Sequence, residues 1–105
     1  MSQGNMANLD DITDMTTLRA EIDALDRDLI ALFARRRQMI DCAARIKQTQ
    51  DLPARIDWRV EEVVMNARRN ADAAGLDPDL FEAIWRRLVD AAIEQEDRQL
   101  KGSRP

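Results

Sequence analysis

Between Leu18 and Ile46 the apolar residues fall at Leu18, Ile22, Leu25, Leu29, Leu32, Met39, Ala43 and Ile46. The steps alternate between four and three, and Arg36 fills the one place in the series where an apolar residue is due. A heptad stripe of this kind marks a helix face buried against partner helices. Neither Gly nor Pro interrupts the run, and Asp14, Thr16 and Thr17 are all good N-caps, so a first helix is predicted from about residue 14 to Gln48. At 1.5 Å per residue such a helix spans on the order of 50 Å. A compact 100-residue domain has a radius of gyration of only about 13 Å. The helix overshoots a monomeric globule of this size, and a second copy covering the remaining stripe is the simplest remedy.

Asp51 and Pro53 break the pattern at Gln50 to Pro53. A second helix is predicted from about Ile56 to Ala74 on Val60, Val63, Val64, Ala67 and Ala71, with Gly75 as its stop. Asp77 and Pro78 read as N-cap and first residue of a third helix. Its stripe is Phe81, Ile84, Trp85, Leu88, Val89 and Ala92, and it continues to about Leu100. The pattern predicts an all-α fold: three helices, the first very long, in an intertwined helical-bundle homodimer. The helical domain spans residues 14–100, with loose tails at 1–13 and 101–105.

The bulk composition narrows the chemistry. One domain of 105 residues, 45% hydrophobic, with no Tyr and only three Gly, is a helix-rich composition. A net charge of −4 argues against non-specific nucleic-acid binding. Fourteen of the sixteen cations are Arg, which suits bidentate recognition of carboxylate or phosphate, although genomic base composition produces the same excess. A lone Cys42 allows no intrachain disulfide and fits a reduced, cytoplasmic setting; next to Ala43 it reads as a small buried residue. With no His, no Cys cluster and no glycine-rich loop, neither a metal nor a cofactor is expected. Residues 1–13 include Asp10 and Asp11 and no apolar run, so neither a signal peptide nor a membrane span is read there.

Several polar residues then stand on apolar faces. A guanidinium at Arg36 cannot lose its charge and is costly to bury unpaired, so an anion should meet it. Lys47 lies eleven residues on, just over three helical turns, and projects from nearly the same side. Arg19 is seventeen residues before Arg36, roughly a quarter turn away around the helix. In an antiparallel dimer it would reach the pocket of the partner. The third-helix stripe through Trp85, Leu88 and Ala92 arrives at Glu96, a carboxyl at an inward position. Plainer readings stand beside these. Arg19 pairs with Asp23, Arg35 and Arg37 are solvated flanks, and Lys47 favours the helix dipole. Glu96 taken alone is a solvent-facing residue of a frayed last turn, and Arg36 serves a salt bridge inside the dimer.

The run Leu18-Arg19-Ala20-Glu21-Ile22-Asp23-Ala24-Leu25-Asp26, then Arg35-Arg36-Arg37, then Ile46-Lys47, resembles the first helix of the all-helical chorismate mutases. Arg59 and the segment from Gly75-Leu76-Asp77-Pro78 to Glu96 continue the match, which covers roughly residues 15 to 98. The resemblance implies an intertwined dimer with two active sites. Arg19 from the partner and Arg36 would clamp the two carboxylates of a small dianionic substrate. Lys47 would donate to the ether oxygen of the enolpyruvyl group and also contact a carboxylate, with Arg59, Val60 and Ala92 at substrate-binding positions. Glu96 falls where many members carry a Gln donating to the same ether oxygen. A carboxyl there donates only when protonated, so activity should increase toward mild acid.

The implied reaction, chorismate to prephenate, is an intramolecular [3,3] rearrangement needing no nucleophile, metal or proton transfer. Holding the reactive conformer and fixing cations where charge develops can accelerate it. Two positions depart from the pattern. Ile56 and Val60 stand where typical mutases have acidic residues, the one at Val60 contacting the substrate's ring hydroxyl. The Arg59-Val60 pair is similar to the isochorismate–pyruvate lyases of the same fold, which release salicylate and pyruvate. That reaction is the alternative, ahead of an aminodeoxychorismate mutase and of a non-catalytic dimeric helical module.

Overall fold

A computed structural model describes residues 8–102 of the chain, which divides into two compact units, Met1–Gln38 and Met39–Pro105. Of the predicted tails, residues 1–7 and 103–105 lie outside the described residues. Three α-helices follow one another, α1 at Met15–Thr49, α2 at Asp57–Ala73 and α3 at Pro78–Gly102, with no strand among the described residues.

In the first unit, Leu9–Asp11 form a single 3₁₀ turn, with the Asn8 side chain accepting from the Asp10 amide at 3.1 Å. Asp14 is the cap of α1. The Thr17 amide donates to its Oδ1 at 2.7 Å and the Thr17 hydroxyl to its Oδ2 at 2.9 Å. These bonds favour the ionised carboxylate and hold it below its ordinary titration range, the Thr17 amide contributing most. Beyond the cap the apolar stripe runs uncovered. Ile22, Leu25, Leu29 and Leu32 are 44 to 62% exposed in the single chain.

In the second unit the same helix turns a different face inward. Ala44 is buried and Ile40, Ala43 and Lys47 are half-buried, whereas the stripe residues Met39 and Ile46 are exposed. α1 therefore carries two apolar faces, one packed within the chain and one not. Its end is a Schellman closure in which Asp51 occupies the left-handed position at φ 55°. The Leu52 amide donates to the Lys47 carbonyl at 2.8 Å and the Asp51 amide to that of Gln48 at 3.4 Å.

The close backbone packing of this unit is between α2 and α3. Val60, Val64, Ala67 and Ala71 form the buried face of α2, and Val89, Ala92, Glu96 and Leu100 that of α3, each at helical three-and-four spacing. Complete burial of a side chain such as Val64 stabilises by about 1.5–3 kcal/mol. Phe81 and Trp85 extend the α3 face with ring centroids 6.3 Å apart. Between the helices Gly75, at φ 76°, closes a second Schellman motif: Leu76 donates to Ala71 at 2.8 Å and Gly75 to Asp72 at 3.1 Å. Asp77 then caps α3 by accepting from the Asp79 amide at 3.0 Å. Ion pairs fix the direction of the pair. Arg68 meets Asp79 and Glu82, Arg86 meets Glu61, and Arg55 reaches Asp90. Partners climb one helix as they descend the other, so α2 and α3 are antiparallel.

Candidate active site

Glu96 is the one charged residue in the buried set, with 4% of its surface exposed. It continues the α3 face one turn after Ala92, where an apolar side chain would pack, so the solvent-facing alternative does not hold. Lys47 meets it from α1, with Nζ 2.8 Å from Oε1 of Glu96. The same ammonium donates to the backbone carbonyl of Ala54 at 2.7 Å. Glu96 Oε1 accepts no aligned hydrogen bond. The 2.8 Å separation still makes the contact an ion pair, because an ammonium's attraction for a carboxylate does not depend on the direction of one N–H bond.

Such a pair is a weak source of stability. Desolvating both ions offsets most of their attraction, and an apolar pair of similar volume often does as well. Removing one partner is another matter, since it strands a buried charge. What the arrangement does provide is a fixed cation with spare donor capacity beside a carboxyl, in low-dielectric surroundings.

Of the other positions singled out in the sequence, Val60 and Ala92 are buried on the α2 and α3 faces. Val60 offers no polar group, and Ile56 is half-buried. Arg59 is exposed and donates to Glu62 at 2.6 Å, while Asp57 is paired with Arg55 at 2.9 Å. In the first unit Arg36 is half-buried and Arg19 exposed. Arg35, also exposed, donates to Gln38 at 3.1 Å. Cys42 is exposed and not the small buried residue expected, because the inward face of α1 runs through Ile40, Ala43, Ala44 and Lys47 and leaves Cys42 outside it. Sequence reasoning did not find the Ala54 carbonyl, since a backbone acceptor leaves no trace in side-chain pattern. It also passed over a polar contact one face away. Gln95 donates to Asp41 Oδ1 at 2.6 Å, and Gln99 donates to the same oxygen.

Among the described residues no group of three or more His, Cys, Asp or Glu is arranged to hold a metal ion. No helix there is long and apolar enough to cross a membrane.

An all-α chain with a cation and a carboxyl facing each other at core positions is a helical frame built around a polar site. The chorismate mutase type II family profile matches residues 18–97, and the chain belongs to that family. It is 35% identical over 81 residues to the T-protein of Haemophilus influenzae, a match covering 77% of this chain and 22% of that protein. Against the T-protein of Enterobacter agglomerans it is 29% identical over 86 residues, covering 82% and 23%. The chain thus spans less than a quarter of the length of these relatives.

Proposed function

We propose that the protein catalyses the rearrangement of chorismate to prephenate. The Lys47–Glu96 pair, its carboxyl buried and its ammonium half-buried on the packed faces of a chain of the chorismate mutase type II family, is the observation that carries this reading. In the reaction the ether C–O bond breaks as a new C–C bond forms, and no proton, electron or co-reactant enters. The transition state separates charge, leaving the enolpyruvyl oxygen electron-rich. Lys47 would donate to that oxygen from a site where little reorganisation is needed. Glu96, when protonated, would supply a second donor, and without its proton would hold the ammonium in place. Arg36 would clamp a carboxylate of the substrate, and Arg59, once released from Glu62, would lie near it. Val60 and Ala92 would contribute apolar walls.

The dimer belongs to the same reading. The exposed stripe Ile22, Leu25, Leu29 and Leu32 fits a second copy of this chain as its cover, and that copy would bring Arg19 to the site. A reducing cytoplasmic setting, resting on the single Cys42, completes it. The comparisons fall on the mutase family and do not favour the lyase, although Val60 lacks the polar group that the mutase pattern expects.

A product assay with chorismate and isochorismate supplied separately tests the proposal. Prephenate from chorismate is the expected result, with kcat lowered by about 10²–10³-fold in Arg36→Ala and Lys47→Ala at unchanged helicity. Salicylate and pyruvate from isochorismate, with little prephenate, would move the assignment to the lyase. No turnover of either would overturn both.

A further inference from the structure

In the second unit polar side chains connect α3 to α1. Close backbone packing joins α2 to α3, and the buried residue of α1 is small, Ala44. Small side chains interdigitate weakly and leave the rotation and axial register of a helix poorly defined. Long polar side chains cross from α1 to α3 instead. Gln95 and Gln99 stand one turn apart on α3, and both donate to Oδ1 of Asp41 on α1. Two donors converging on one carboxylate oxygen resist both sliding and rolling of α3, and charge assistance makes such bonds stronger than neutral ones. All three side chains are half-buried, which protects the bonds from competition by water. Glu96 adjoins Gln95 and precedes Gln99 by three residues, and Lys47 lies six residues after Asp41 on α1. Any shift that loosens the clamp moves Glu96 relative to Lys47.

We infer that Asp41 is a positioning residue: through Gln95 and Gln99 it sets the register of α3 that brings Glu96 to Lys47. This inference rests on the proposed function for its catalytic consequence and on the Lys47–Glu96 contact alone for its structural one. Because a misplacement of about 1 Å can lower a rate by about 10²-fold, a clamp that touches no substrate can still govern turnover.

The wild-type protein is compared with Asp41→Ala, Asp41→Asn and Gln99→Ala by steady-state kinetics on chorismate and by ¹⁵N NMR of the lysine ammonium groups. The chain has only two lysines, so Lys101→Arg assigns the Lys47 signal. A slowly exchanging Lys47 ammonium is expected in the wild type, held by Ala54 and Glu96. Asp41→Ala should lose that protection and lower kcat by about tenfold or more, with KM changing less. Asp41→Asn keeps an oxygen able to accept from both amides, and should retain the signal and a kcat within about threefold of wild type. Gln99→Ala should fall between. A folded Asp41→Ala protein with a protected Lys47 and unchanged kcat, even at lowered Tm, overturns the inference. So does a wild type without a slowed Lys47 signal. Should Asp41→Ala fail to fold, an unchanged Lys47 signal and kcat in Gln99→Ala overturns it equally. If the wild type turns over no chorismate, the mutase reading fails and the Lys47 signal by itself decides the register claim.

Discussion

Lys47 is held by its side chain and by its backbone. Its ammonium bridges Glu96 and the Ala54 carbonyl, and its own carbonyl accepts the Leu52 amide in the closure that ends α1. The segment from Asp51 to Ile56 is therefore part of what orients the cation. Glu96→Gln tests the carboxyl directly. It keeps an acceptor for Lys47 but leaves the ammonium without its counter-charge, so stability should fall by about 1–3 kcal/mol in denaturant unfolding. Gln also supplies an N–H donor beside Lys47, so kcat on chorismate should be retained. At Gly75 the prediction is structural. Its φ of 76° is left-handed, and a Cβ there would meet nothing within 4 Å, so backbone strain alone is at stake. Gly75→Ala should cost about 1 kcal/mol in denaturant unfolding without altering kcat. The inward place of Glu96 was legible in the sequence because it interrupts a periodic apolar face, and an interruption needs only the period to be seen. Asp41, Gln95 and Gln99 were not, because polar residues beside a stripe look the same whether they face solvent or one another.

At the scale of elements, the antiparallel pair α2–α3 is laced by charge. Glu82 receives Arg68 on one oxygen and Arg86 on the other, both at 2.9 Å, and Arg86 continues to Glu61. The Arg86 guanidinium holds the carboxyls of Glu82 and Glu61 below their ordinary value of 4.5, with a smaller contribution from Arg68 at Glu82. A carboxyl with a lowered folded-state pKa binds protons more readily when unfolded. Its stabilising effect is thus complete above about pH 4.5 and is lost as the pH falls through the lowered folded value. Thermal unfolding between pH 7 and pH 3 should show a steeper loss of Tm below pH 4.5 in the wild type than in Arg86→Gln. The helix boundaries were legible to within a residue or two, because Asp14, Gly75, Asp77 and Pro78 act locally. The closure at Asp51 was only half legible. A break was expected there, but the left-handed turn was not, since Asp adopts it less readily than Gly.

For the whole molecule the governing fact is the second apolar face of α1. Its stripe was legible, but period alone does not say which neighbour covers a face. The structure divides that role. Ile40 and Ala44 pack within the chain, while Ile22, Leu25, Leu29, Leu32, Met39 and Ile46 stay open. Sedimentation equilibrium at micromolar concentration should give a two-chain mass, and Leu25→Lys with Leu29→Lys should shift it toward one chain with loss of turnover. A stable, active monomer would remove Arg19 of a partner from the site.

The open face also has a kinetic consequence. The α2–α3 pair joins residues close in sequence and can form within a single chain at a rate independent of concentration. In the proposed dimer the face on α1 is buried only when two chains meet. Refolding from denaturant should therefore show an early unimolecular phase that restores much of the helicity. A second-order phase that doubles in initial rate per chain with each doubling of protein would follow, and chorismate turnover should return only with it.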